Sequence, residues 1–128
     1  MAASDAFRIK AAQDIGAQGG LISLHSAAVD CSSTANANAT EVSGGGYTRK
    51  TTAWGTPVAG SGGDAGKAVM TGSTQQFDVE AGDTVSHFCV RKADGTPLWS
   101  DILVPGLTLN SAGNGKVDVV AVYKYSHP

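Results

Sequence analysis

Three histidines, two cysteines and a scatter of acids are the residues from which this chain would have to build any chemistry. His25, His87 and His127 show no HxH or HExxH spacing, and a zinc site needs three or four well-placed ligands. His25 and His87 fall on expected strands, on the faces opposite the apolar ones. They read as strand-surface histidines with local hydrogen-bond partners. Cys89 shares a strand face with His87, yet a catalytic cysteine also needs an orienting third group and a pocket, and the sequence marks neither. There is no G-x-S-x-G elbow. Asp78, Glu80 and Asp83 flank a glycine turn and read as solubilising edge residues rather than paired catalytic carboxylates. Residues 60–67, GSGGDAGK, approach a phosphate loop. Ser61 stands at the first glycine position, however, and Ala68 stands where a hydroxyl would hold magnesium. The sequence therefore predicts no catalytic residue, no metal site and no cofactor, and the chain reads as a non-enzyme.

Cys31 and Cys89 belong to no CxxC pair. A disulfide between them would be worth roughly 4 kcal/mol in chain-entropy terms. The preferred reading is two free thiols, with Cys89 buried in a strand. Asn38-Ala-Thr40 is a formal glycosylation sequon, but no signal peptide is evident between Met1 and Lys10, so it reads as coincidental.

Such residues must be held by a framework, and 128 residues suit one domain, 1–128. Its core is lean: 6% of residues are aromatic, 17 are glycine, and much of the apolar share is alanine, so added stability is expected from partner subunits. A net charge of -2 argues against a nucleic-acid binder, the nearest approach to a basic stripe being Arg49-Lys50 with Arg91-Lys92. No run of 18 apolar residues marks a membrane helix.

The pattern predicts one short helix over residues 4–18. Ser4 is its N-cap, and Phe7, Ala11 and Ile15 form a narrow apolar stripe with Ala12 beside it. Strands follow at 21–26, 47–54, 67–70, 76–80, 83–92, 98–104 and 116–125. Residues 27–40 and 55–66 read as loops with nothing to bury. Asp94-Gly95 and Asn114-Gly115 mark hairpins, and Pro105-Gly106 ends a strand ahead of a short piece at 107–109. The fold class is mainly β: an antiparallel β-sandwich or small barrel with one short N-terminal helix.

Three segments together carry a family resemblance. They are Ile22-Ser-Leu-His-Ser-Ala27; Glu41-Val-Ser-Gly-Gly-Gly-Tyr-Thr-Arg49 followed by Trp54; and Phe77-Asp-Val-Glu-Ala-Gly-Asp-Thr-Val85 leading into His87-Phe-Cys-Val and Asp94-Gly95. In this order the chain resembles small tailed-phage virion structural proteins of the kind common in actinobacteriophages, labelled head-decoration, tail-fibre or minor tail proteins. Ala28-Val29-Asp30 departs from the Asp-Pro that often follows the first segment. The resemblance implies a virion location and a capsid decoration role on the major capsid shell, with a tail-associated or tail-fibre role as the alternative. It also implies a homo-oligomer, a trimer by analogy. Tyr47 and Arg49 are then the expected assembly anchors beyond the glycines, with Tyr123 and Tyr125 as an aromatic row near the C-terminus. A carbohydrate-binding module, stacking sugars on Trp54, Trp99 or the tyrosines, is the alternative from another class.

Overall fold

Leu21-Ile-Ser-Leu-His25 is the strand around which the larger part of the molecule is organised. A computed structural model describes residues 4–108 and 115–126 of the chain. The expectations at Leu109, Asn114 and His127 lie outside the described residues. Strands account for 42% of the described residues, in antiparallel sheets, with one helix longer than a turn or two, so the mainly-β class holds. The chain forms two compact units, each assembled from discontinuous stretches.

The first unit holds helix α1 (Asp5–Gly16) and the sheet β3-β4-β9, made from Val58–Ala59, Lys67–Thr71 and Val122–Ser126. Ser4 caps α1 as expected, its hydroxyl oxygen accepting from the Phe7 amide at 3.2 Å. The stripe is displaced from the expected one. Ala12 is fully buried, whereas Phe7 is half-exposed, because the helix presents its small side to β4 and β9. A Cβ on Gly16 would stand 2.8 Å from the Met70 sulfur, so the absence of a side chain sets how closely α1 approaches β4. Ala68, Met70 and Ala121 complete a core of small volume.

The second unit holds a four-stranded sheet of order β2-β1-β6-β7 and a two-stranded sheet β5-β8. Its strands are β1 (Leu21–His25), β2 (Lys50–Thr51), β5 (Gln75–Val79), β6 (Thr84–Arg91), β7 (Pro97–Thr108) and β8 (Gly115–Val119). Ile22 and Leu24 pair with Val90 and Phe88 and bury one face; Trp99 meets Phe88 edge-on at 5.7 Å. Phe77 and Val79 of β5 are buried as the alternation predicts. The β6–β7 hairpin turns at Asp94-Gly95, where Gly95 has φ +94°.

Five expectations need correction. The 27–40 stretch contains a short helix, α2 (Thr34–Asn38), which buries Ala37. Polar bonds order it: Asp30 accepts from the Ser32 amide and from Asn36, and Ser33 caps the helix. The 47–54 strand shrinks to Lys50–Thr51, because Tyr47 still belongs to the glycine turn; β3, in turn, lies in the stretch read as a loop at 55–66. The 116–125 strand divides at Val120-Ala121 into β8 and β9, which pair with β5 and β4. Finally, β7 runs through Pro105-Gly106 without ending. The ladder slips between Val85 and His87, and the proline falls in that irregularity, between the partners Ile102 and Leu107.

Candidate functional site

The second face of β1 and β6 is polar and roofed. Ser23, His25, Cys89 and Arg91 are each fully buried there. Ser23 lies opposite Cys89 and His25 opposite His87 across the strand pair. Residues 26–49 form the cover. Glu41 bridges to His25, and the Val42 amide donates to the Leu24 carbonyl at 3.0 Å, so the returning chain runs along β1. This overturns the reading of His25 as a strand-surface histidine. Alternation marks two faces but not whether water reaches the second, and here both are covered.

Glu41 organises the cluster. Its carboxylate accepts from the Tyr47 hydroxyl at 2.6 Å and from Arg49 through Nε at 2.9 Å and Nη2 at 2.8 Å, a two-pronged guanidinium contact. Arg91 Nη2 stands 3.8 Å away as a second cation. Burial works to raise the Glu41 pKa, but the hydrogen bonds from Arg49 and Tyr47 and both positive charges outweigh it and hold the carboxyl below its usual range. Tyr47 in turn accepts from the Leu24 amide at 3.0 Å and stacks on Phe77 at 6.3 Å. Burial and its bond to Glu41 push its phenol upward.

Arg91 closes the far side. Its Nε donates to Ser23 at 2.8 Å, and Nη1 donates to Asn38 at 2.9 Å and to the Gly95 carbonyl at 3.0 Å; Nη2 makes no hydrogen bond. Asn38 also accepts from Arg49 at 3.2 Å, so the sequon asparagine is a strut between two guanidiniums. Both His25 nitrogens meet hydroxyls, Ser23 at 2.8 Å and Thr40 at 2.9 Å. Burial chiefly, with Arg91 and Arg49 adding to it against Glu41, lowers its pKa to about 4. The ring is neutral at pH 7 and both its nitrogens are engaged.

The glycine run sets the loop that carries Tyr47 and Arg49 back to Glu41. Gly44, Gly45 and Gly46 have φ of +84°, +62° and +86°, which side chains rarely adopt. A Cβ on Gly45 would lie 2.5 Å from the Glu80 backbone, so this loop also presses against the end of β5.

Tyr47 and Arg49 do come together, but turned onto Glu41, which the Tyr47 hydroxyl and Arg49 Nε and Nη2 hold. Tyr123 and Tyr125 sit half-buried on β9 opposite Met70 and Ala68 and share their face, rather than forming an exposed row. Of the basic pairs, both arginines are held in the cluster and only Lys50 and Lys92 are exposed. Lys67 opens β4 beside Asp64, which is strand geometry and not that of a phosphate loop. Asp78 pairs across the sheet with Lys116. Among the described residues no group of three or more His, Cys, Asp or Glu side chains is placed to hold a metal. A shallow groove of about 310 Å³ in the first unit is walled by Trp54, Met70 and Pro57, with Gln13 at its rim. Sequence reasoning missed Glu41, Arg91, His25, Ser23, Asn38 and Thr40 as members of one site. The available signal was Arg91, a cation ending the strongly apolar Phe88-Cys-Val run.

No family model, curated protein or solved structure matches the chain.

Proposed function

We propose that this chain is a non-enzymatic virion structural protein of a tailed bacteriophage, bound as a decoration protein to the major capsid shell. One observation carries the reading. The second of the three segments that carry the resemblance, Glu41 to Arg49, is built as a polar clamp in which the Glu41 carboxylate holds the Tyr47 hydroxyl and the Arg49 guanidinium. Such a clamp fits a part that must hold shape, and offers a substrate nothing to react with.

The docking surface falls to the first unit in this reading. Phe7, Val58 and Val120 are 52%, 58% and 45% exposed, three of the four large apolar side chains so exposed among the described residues. A lean core with apolar groups facing water gains stability when a partner covers them. Tyr123 and Tyr125 add half-buried aromatic edges on the same unit. Tyr47 and Arg49 act in this account by fixing the loop, and a homo-oligomer, a trimer by analogy, is the assembled form. Cryo-microscopy of intact particles tests it: density for this chain at regular positions on the shell supports it, and absence from the shell sinks the capsid version. A few copies confined to the tail would transfer the proposal to a tail-associated role.

The Trp54 groove favours one second reading, a carbohydrate-binding module. Binding on a glycan array, lost in Trp54→Ala, would support it over the virion role.

A further inference from the structure

The polar face of β1 holds a chain of hydrogen bonds whose direction is fixed at one end. Arginine has donors only, so Arg91 Nε donates to the Ser23 oxygen at 2.8 Å. That leaves the Ser23 hydroxyl proton for His25 Nε2, 2.8 Å away, and Nε2 is then the lone-pair nitrogen of the neutral ring. The ring proton falls on Nδ1, which donates to Thr40 Oγ1 at 2.9 Å. Thr40 belongs to the cover and not to the sheet. Its carbonyl accepts from the Ser26 amide at 3.0 Å, and Asn38, two positions earlier, accepts from Arg91 at 2.9 Å. Ala37 is the one buried apolar side chain of residues 26–40, so polar bonds of this kind hold the segment down. His25 itself is fixed to the sheet, opposite His87 of β6.

We infer that His25 is the pin of an acid-released latch: neutral, it joins β1 to Thr40, and protonated at Nε2 it lets residues 26–40 lift from the sheet. A proton taken from solvent turns Nε2 into a donor. The Ser23 oxygen then faces two donors, Arg91 Nε and His25 Nε2, and its own proton loses the ring as acceptor. The new charge also enters a buried cluster. Glu41 of the cover attracts it, while Arg91 and His87 of β6 and Arg49 oppose it. Water relieves both costs, and the cover is the side from which it enters, since the opposite face of β1 carries the buried Ile22 and Leu24. Glu41 and Val42 stay as the hinge: Arg49 and Tyr47 hold Glu41, and the Val42 amide keeps the Leu24 carbonyl. Opening a segment with so little apolar burial costs less than unfolding the sheet beneath it. The latch is independent of the virion reading and needs no particle.

NMR of the ring nitrogens in the full chain gives the first test, with no substitution. At pH 7 the His25 ring should show a protonated Nδ1 and an unprotonated Nε2; the reverse tautomer would overturn the inference. Amide hydrogen exchange, expressed as protection relative to an unstructured peptide at the same pH, gives the second. Protection of the Ser26 amide should fall roughly 40-fold between pH 6.5 and 4.5, as a ring at about 4 when closed and 6.5 when open requires. That window stops short of the range in which Glu41 adds its own loss. At each pH, Ser26 should be less protected than the β1–β6 ladder amides and respond less to low urea, as a local opening does. No fall at Ser26, or a match to the ladder in both level and urea response, would contradict the latch. In His25→Asn the fall should vanish, and a fall of equal size would assign the trigger to another group and overturn His25 as the pin. Should that variant not fold, the wild-type ring and amides still decide.

Discussion

The two units of this molecule solve the problem of a lean core in opposite ways. The first brings backbones close with small residues, Gly16 under Met70 and Ala12, Ala68 and Ala121 in its interior, and leaves Phe7 and Val58 facing water. The second fills one face of its central strands with Ile22, Leu24, Phe88 and Val90, then buries a charged cluster under the other. A small-residue core can shift by tenths of an ångström at low cost. A largely covered carboxylate between two guanidiniums, one of them fully buried, cannot, because each group left without its partner costs its desolvation. The clamp thus holds shape, while the alanine-rich unit is adaptable and leaves apolar side chains exposed.

The most severe way to break the contrast is Glu41→Ala. It leaves Arg91, fully buried, and Arg49 facing each other without an anion. Removing one member of a buried ion pair costs about 3–5 kcal/mol. Urea unfolding in a Trp54→Phe background, where Trp99 is the sole tryptophan and reports on the second unit, should show that loss; a change below about 1 kcal/mol would mean that water already reaches the cluster.

The next effect is set by pH. The His25 pKa is lowered from 6.5 to about 4 in the folded chain, so between those values the unfolded chain binds the extra proton. Stability therefore rises with pH across this window. The contribution of the neutral ring is fully present above 6.5 and is lost as pH falls through 4, on the order of 3 kcal/mol in all. Glu41, whose folded pKa is lowered, adds its own loss only below the unfolded carboxylate value of 4.5. His25→Asn should flatten the curve between pH 6.5 and 4.5, and an unchanged slope would remove His25 as its cause.

Two glycine substitutions sharpen the comparison at smaller scale. Gly45→Ala places a Cβ 2.5 Å from the Glu80 backbone at φ +62°, and should cost about 1–3 kcal/mol in urea unfolding. Gly16→Ala presses on the flexible end of Met70 at 2.8 Å and touches the Trp54 ring at 3.4 Å, so the unfolding free energy should change little, within about 1 kcal/mol in urea unfolding. Reversal of that order would place the rigid part of the molecule in the first unit.

Much of the framework was legible in the sequence because local signals agreed. Ser4 capped its helix, Phe77 and Val79 alternated inward, and Asp94-Gly95 turned the β6–β7 hairpin. The site was half legible. Glu41, Tyr47 and Arg49 stood out as a motif, but their direction depends on three consecutive glycines with positive φ, and no residue type announces where such a loop leads. Ser23, His25 and Arg91 were hidden for a different reason. Their alternation with apolar neighbours implies a solvent face, and only the polar, small-residue roof at 26–40 removes the water. That roof is ordered by Asp30, Ser33 and Asn36 rather than by apolar burial, so hydrophobic periodicity could not find it.

In the proposed role the clamp gives shape to a part of a virion shell. Purified particles, quantified for this chain against the major capsid protein and imaged by cryo-microscopy, test it most directly. Hundreds of copies are expected at regular positions on the head, seated through the unit that carries Phe7 and Val58. Particles whose heads contain none of it would contradict the claim.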